Sequence, residues 1–412
     1  MENNSVAIWI WGQVLGYLTW DERKHCASFV FEKDFLDSGW DVAPLWCSIH
    51  SPSALVPRYG NREKLYAGLP PFVADSLPDR WGNRVFEAWA KRNGINSQKL
   101  NPLDRLSFVG KRGMGALEFQ PAQLLTGGDM PIPVAELYGL ALAIQEERQH
   151  VWLESGDILL EDLYRVGTSA GGKRAKAIIA MNAKGDIRSG QAELPSDYVH
   201  YILKFNDDKD FPFSEVEYAY YKMARAAGIT MMPSRLISIE GKRHFLTERF
   251  DRQNGEKLHI LTLAAMEPDA TSYDELFSVC RRLNLSEVQQ RELFRRMVFC
   301  VLGGNVDDHS KNFSFVMDKH GKWRLAPAYD MLFTLDLDGP KYVNRHSLSV
   351  GIKTDGITED DLMRFAEEND ISKANAIIQE VRTAISDWET FAVEAQVPAL
   401  WTERIADSLK NC

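Results

Sequence analysis

The stretch Gly303-Gly-Asn-Val-Asp-Asp-His-Ser-Lys-Asn-Phe-Ser314 gathers carboxylates, an imidazole, an ammonium and a carboxamide, and Tyr329-Asp330 follows it. Asp307 stands five positions before Asn312, and Asp330 eighteen beyond it. That order suits phosphoryl transfer. One carboxylate accepts or orients the attacking hydroxyl, while a carboxamide oxygen and a second carboxylate offer hard ligands to Mg²⁺ between nucleotide phosphates. Taken singly, the acidic turn could be solvated and Asp330 a helix cap. A dense polar cluster directly after an apolar helix, flanked by two aromatic-rich strands, argues for a site. Zinc held by Asp307, Asp308 and His309 is disfavoured, because consecutive residues on extended backbone face alternate sides and tetrahedral sites use spaced ligands.

Such chemistry also needs a phosphate cradle and a lysine, and both lie upstream. Val166-Gly-Thr-Ser-Ala-Gly-Gly-Lys-Arg-Ala-Lys-Ala177 is a small-residue loop whose N–H groups can approach phosphate closely, although it lacks the order of a Walker loop. Lys204 lies in the apolar run Tyr-Ile-Leu-Lys-Phe, 27 residues after Ala177 and just before a Glu-bearing helix. Glu215 or Glu217 could pair with it, and either could equally be a helix N-terminal acid. Phe245-Leu-Thr-Glu-Arg-Phe-Asp-Arg252 follows the last strand expected in that lobe, where a hinge could offer backbone groups to an adenine.

The positioning elements follow from periodicity. Ala7–Leu18 and Ala27–Phe31 read as β-prone runs with a hairpin, and helical spacing begins at Pro78 with Trp81, Val85 and Trp89. Leu124–Pro133 is rich in Gly and Pro and marks a boundary. A helix is expected over 135–147, strands over 176–181, 198–205 and 244–247, and a helix over 214–227 that ends at Gly228. Ser286 with Gln289 predicts a capping box opening an apolar helix stopped by Gly303-Gly304. Thr358 with Asp361 opens another helix, and Ser372 another.

Composition bounds the rest. The chain has 412 residues, with 48 Lys+Arg against 58 Asp+Glu and a net charge of −10, which disfavours a dedicated nucleic-acid binder. At this length two or three lobes are expected. The five cysteines form no CxxC pair, so neither a disulfide framework nor a zinc site is indicated. No basic-then-apolar leader is visible, and apolar runs fall far short of the roughly 20 residues that span a bilayer. A reducing, cytoplasmic setting is expected.

Together these motifs resemble the HipA family of toxin serine/threonine kinases, and the likeness covers most of the chain. It rests also on Trp11-Gly-Gln, Gly68-Leu-Pro-Pro-Phe-Val-Ala-Asp-Ser-Leu-Pro-Asp-Arg-Trp-Gly82, Leu103-Asp-Arg-Leu and Gly113-Met-Gly-Ala-Leu117. The resemblance implies an α+β, bilobed protein kinase-like fold. An additional N-terminal α/β subdomain would span residues 1–125, a small lobe with phosphate loop and hinge 134–250, and a helical large lobe 251–412. It implies ATP and Mg²⁺ as cofactors and Asp307 as catalytic base, with Asn312 and Asp330 holding metal. His309 and Lys311 would lie at the phosphates, and Lys204 would bind them. Glu248, Arg249 and Phe250 would form the hinge, and Ala170, Gly171, Gly172, Lys173, Arg174 and Lys176 the phosphate loop. Ser169, or else Thr168, falls where the family carries a self-phosphorylated serine. The implied partners are a HipB-like helix-turn-helix antitoxin, operator DNA reached mainly through that antitoxin, and a protein substrate such as an aminoacyl-tRNA synthetase. Phosphorylating it would arrest growth.

The sequence departs from the family where the loop reads Lys173-Arg-Ala-Lys rather than Ala-Arg-Pro-Lys, and it has no HRD or DFG tripeptide. Two rivals remain, an inactive binding or co-repressor pseudokinase and a small-molecule phosphotransferase.

Overall fold

The opening alternation resolves into antiparallel strands β1 (Ser5–Ile10), β2 (Gln13–Asp21) and β3 (Cys26–Phe31), which β4 (Leu117–Gln120) joins in the order β3-β2-β1-β4. Val6, Ile8 and Ile10 are buried while their neighbours are partly exposed, the period-two pattern of a half-buried sheet. The computed structural model describes residues 4–51, 66–122, 133–146, 163–164, 174–190, 194–208, 210–253, 255–340 and 343–410.

A second sheet has five antiparallel strands in the order β6-β5-β7-β9-β8. They are β5 (Lys176–Met181), β6 (Ile187–Ser189), β7 (Val199–Lys204), β8 (Ser234–Ile239) and β9 (Lys242–Glu248). Helix α1 (Arg80–Arg92) is followed by the short α2 (Pro102–Val109) and by α3 (Val134–Gln145). Trp81 and Val85 of α1 and Leu137 and Ala141 of α3 share one core with Ala177, Ile179, Leu203 and Leu246 of the sheet. Helix α4 (Phe213–Ala226) belongs elsewhere: Val216, Tyr220 and Met223 enter the core of the helical lobe, and the Tyr220 hydroxyl donates to the Gly303 carbonyl at 2.7 Å.

The helical lobe comprises α5 (Tyr273–Arg282), α6 (Glu287–Leu302), α7 (Glu359–Glu368), α8 (Ala374–Ser386), α9 (Trp388–Glu394) and α10 (Ala399–Leu409). It also holds strands that periodicity did not reveal. After a short hairpin, β10 (Arg252–Gln253) and β11 (Glu256–Lys257), a three-stranded sheet runs β12 (His259–Thr262), β13 (Ser314–Met317) and β14 (Trp323–Leu325). Two capping expectations fail for physical reasons. The Ser286 side chain caps nothing, because Gln289 turns its amide oxygen to the Leu325 N–H at 2.7 Å. The helix expected at Ser372 starts instead after Lys373, since the Ser372 hydroxyl is drawn to Glu287. Thr358 and Asp361 do form their capping box.

The first sheet is pegged onto the helical lobe by indole N–H groups: Trp11 donates to the Lys257 carbonyl and Trp40 to that of Lys319, each at 2.7 Å. Between these parts lies an ion cluster in which Asp251 and Arg249 are buried and Arg252 nearly so. Asp251 accepts both arms of the Arg249 guanidinium at 2.8 and 2.7 Å, Arg252 at 2.6 Å and the Gly115 N–H at 2.8 Å. Gly115 sits at φ +76°, and a Cβ there would meet the Ile260 backbone nitrogen at 3.2 Å. The four described cysteines are free thiols, and among the described residues no helix is long and apolar enough to cross a membrane.

Removing Asp251 strands two buried guanidinium groups. Asp251→Ala is expected to destabilise the protein by about 3–5 kcal/mol, read from urea unfolding. An unfolding midpoint unchanged from wild type would show that the cluster is structurally idle.

Candidate functional site

Lys204 closes β7 with its side chain only 12% exposed, a costly position for an ammonium without partners. Two carboxylates supply them. Glu217, from α4, lies 2.5 Å from Nζ, and Asp330 binds the same nitrogen from the loop after β14. Glu217 is therefore the partner that sequence left open. Glu215 instead pairs with Arg243 at 2.9 Å. Burial would depress the Lys204 ammonium, but Asp330 and Glu217 outweigh it and hold Lys204 above its usual value. Burial also opposes ionisation of Asp330, yet Lys204 and then Lys176 bring its carboxyl down to about 2. Asp330 sits at φ +52°, a left-handed conformation uncommon for any residue but glycine and better tolerated by Asp than by most.

Lys176 is the register partner of Lys204 across β5 and β7. Burial, opposed by Asp330 and abetted by the neighbouring Lys204 charge, pulls it down to about 8. Its carbonyl accepts the indole N–H of Trp81 at 2.9 Å, so α1 fixes the start of β5.

Across the cleft, a turn of 3₁₀ helix over Ser310–Asn312 shapes the loop after α6. The Asn312 amide donates to the Asp307 carbonyl at 2.8 Å, leaving its own oxygen for another partner. Thr334 Oγ1 accepts the N–H groups of Val306 at 2.7 Å and Asp307 at 3.1 Å, and the Asp307 side chain is half exposed. His309 takes the Lys311 N–H on Nδ1 at 3.3 Å and stands 3.9 Å from the Asp307 carboxylate. Asp308 faces the other way and is buried, receiving the Tyr273 hydroxyl at 2.6 Å and the Ser347 N–H at 2.7 Å, with His346 Nδ1 at 2.8 Å. The Tyr329 hydroxyl donates to the Lys311 carbonyl at 2.8 Å.

The N-terminal segment enters the site directly. Asp79 holds Lys311 Nζ at 2.7 Å, while Asp75 accepts the N–H and hydroxyl of Thr262 at 2.8 and 2.9 Å. Sequence reasoning assigned no role to Asp79, Trp81 or Asp308, although the first two stand in the dense Gly68–Gly82 motif.

Asp307, Asn312, Asp330, Lys204, Lys176, His309 and Lys311 thus form one cluster. Two of the expected arginines have guanidinium groups engaged by carboxylates, which for Arg249 leaves a main-chain hinge role untouched. The Arg174 guanidinium is bound by Asp207 at 3.0 Å and lies over the Phe213 ring at 3.8 Å, and Arg249 is fully buried against Asp251. The Glu248 carboxyl meets the Tyr201 hydroxyl at 3.5 Å, and Phe250 stacks on Tyr329 with centroids 5.8 Å apart. Thr168, Ser169, Ala170, Gly171, Gly172 and Lys173 lie outside the described residues.

Residues 168–388 match the HipA-like C-terminal domain and residues 6–120 the HipA N-terminal domain. The chain belongs to the HipA family. It is 30% identical over 154 residues to a protein of Haemophilus influenzae described as "Putative kinase", covering 32% of this chain and 45% of that one. It is 25% identical over 211 residues to "Putative kinase Y4dM" of Sinorhizobium fredii, 46% of this chain and 51% of that protein, so it spans about half the length of these two. "Putative kinase Y4mE" of the same organism is 24% identical over 350 residues, 80% of this chain and 77% of the relative. HipA from the HipA, HipB and operator DNA complex of Shewanella oneidensis MR-1 superposes with a TM-score of 0.67 at 17% identity, covering 98% of this chain and 97% of that one. The fold is therefore the α+β, kinase-like fold of HipA.

The two glutamates can be told apart in solution. Glu217→Ala leaves the buried Lys204 with one carboxylate and is expected to cost about 3–5 kcal/mol. Glu215→Ala, which frees a partly exposed Arg243, should cost under about 1 kcal/mol. Equal losses in chemical denaturation would contradict the pairing.

Proposed function

We propose that this HipA-family chain is an ATP- and Mg²⁺-dependent serine/threonine protein kinase acting as a toxin. The observation that carries the reading is the reach of Asp330 to Lys204, beside an Asp307 whose carbonyl is bound by Asn312. A phosphoryl-transfer site needs these groups in this order, and little else of the chemistry falls to the protein.

The donor set fits a hard cation. Asn312 commits its nitrogen and keeps its oxygen, and Asp330 commits Oδ1 and keeps Oδ2. Bound by these two residues, Mg²⁺ would neutralise charge on the nucleotide phosphates. Lys204 and Lys176 present ammonium groups from adjacent strands to the same phosphates. Asp307 is fixed by its main chain and half exposed at its carboxylate, which suits it to orient a substrate hydroxyl and accept its proton. Glu248–Phe250 would border the adenine through main-chain atoms. Ser169, or Thr168, is the proposed self-phosphorylation site, where about 1.5–2 added negative charges would oppose the phosphates of ATP.

A HipB-like antitoxin is the proposed partner, by likeness to the Shewanella complex. The net charge of −10 favours operator contact mainly through that partner. The proposed substrate is a protein of the translation machinery, such as an aminoacyl-tRNA synthetase.

Purified protein with Mg·ATP is expected to gain phosphate at Ser169 or a neighbour. Asp307→Ala should lower the rate at least about 10²-fold. Intact-mass spectra settle both, and absence of added phosphate from wild type over a range of Mg²⁺ and ATP would favour a pseudokinase.

Lys176 gives the reading a pH signature. Its folded value near 8 means that the cation is lost as pH rises through 8, so nucleotide affinity should fall by up to about tenfold between pH 7 and 9. Lys176→Arg keeps its charge and should flatten the profile. A fluorescent-nucleotide titration giving identical slopes for both proteins would remove Lys176 from the phosphate site.

A further inference from the structure

Away from the cleft, α6, α8 and the Arg324–Pro327 segment enclose a cavity of about 680 Å³, a volume in the range that takes a nucleotide-sized molecule. Its lining carries Arg291, Arg295, Arg296, Arg324 and Lys373 against two carboxylates, Glu292 and Glu380. In a chain of net charge −10 this excess of cations is a local inversion of sign. Both acids are already spent: Glu292 on Arg296 at 2.9 Å, and Glu380 on Arg295 at 2.6 Å. Arg291 pairs with Glu287 at 2.6 Å. Among the described residues Arg324 and Lys373 enter no ion pair or side-chain hydrogen bond, although both border the cavity.

The wall is not wholly polar. Val288, 65% exposed, gives it apolar surface beside the cations. Such a combination selects a ligand with an anionic end and a flat or apolar body. Guanidinium forks match phosphate oxygens in pairs, which an ammonium alone does not do. One terminal phosphate carries about 1.5–2 negative charges, which matches the two cations left without an acid. A cleft lined by one sign of charge also concentrates such ligands from solution.

We propose that this cavity is a second ligand site, which binds a small organic phosphate through Arg324 and Lys373. Its concave shape between two helices favours a compact ligand over a duplex, whose phosphates would follow an open surface. Arg296 also donates to the Ala326 carbonyl at 2.9 Å, tying the cavity floor to α6 just before the chain reaches Tyr329 and Asp330. The site does not depend on kinase activity.

Inorganic pyrophosphate is a suitable probe, titrated calorimetrically into the full chain carrying Lys176→Met, which removes one cation from the cleft and leaves the Lys204–Glu217–Asp330 ion cluster in place. Saturable binding is expected, weakened at least about tenfold by adding Arg324→Gln and Lys373→Gln and strengthened when ADP replaces pyrophosphate. Circular dichroism melting of the added double substitution checks that α8 stays folded. Hydrogen exchange should show protection at the start of α8 on binding. No saturable binding, binding insensitive to Arg324 and Lys373, or protection confined to β5 and β7 would each overturn the proposal. So would duplex DNA binding through these two residues with no competition from pyrophosphate.

Discussion

One buried ammonium sets the terms for the rest of the molecule. Lys204 is tolerable in the interior only with carboxylates on it, and those come from different parts of the chain, Glu217 on α4 and Asp330 beyond β14. Helix α4 is in turn anchored in the helical lobe by Val216, Met223 and the Tyr220 hydroxyl. A strand of the small lobe is thus electrically bound to two elements packed on the large one. The left-handed backbone of Asp330 is the local conformation that this geometry exacts.

A second constraint comes from the N-terminal segment. Within residues 75–81, Asp75 engages Thr262 at the end of β12, Asp79 engages Lys311 on the loop after α6, and Trp81 engages the Lys176 carbonyl at the start of β5. One short segment therefore touches the five-stranded sheet and two places in the helical lobe, β12 and the loop after α6. The N-terminal part is not an appendage. Its sheet shares a core with the helical lobe, and α1 covers the small-lobe sheet.

Much of the cluster was legible because its chemistry demands particular types in order. Asp307, Asn312, Asp330 and Lys204 are recognisable by kind and spacing, and strands β5 and β7 by unbroken apolar runs. What stayed hidden was set by partners distant in sequence. Glu215 and Glu217 lie in the same turn of helix, and only the packing of α4 decides which meets Lys204. Arg174 looked suited to phosphate, yet Asp207 claims its guanidinium first. β12 was missed because it is short. Gln289 likewise left its expected cap because Leu325, far along the chain, presents an unpaired N–H.

Lys176 and Lys204, register partners on adjacent strands, would repel each other in a dry site without nearby anions. Asp330 and Glu217 offset that repulsion in the free protein, and Asp79 acts on Lys176 in the same sense while binding Lys311. Carboxylates thus stand among the cations that phosphates would need. A phosphate entering here would exchange with charge already present rather than meet bare ammonium groups, so the net gain on binding is smaller than the number of lysines suggests. Lys176, which burial holds below its usual value while Lys204 and Lys311 stand above theirs, has the most to gain from such an exchange. The site stays organised before any ligand arrives because its carboxylates are fixed by the same packing that forms the fold.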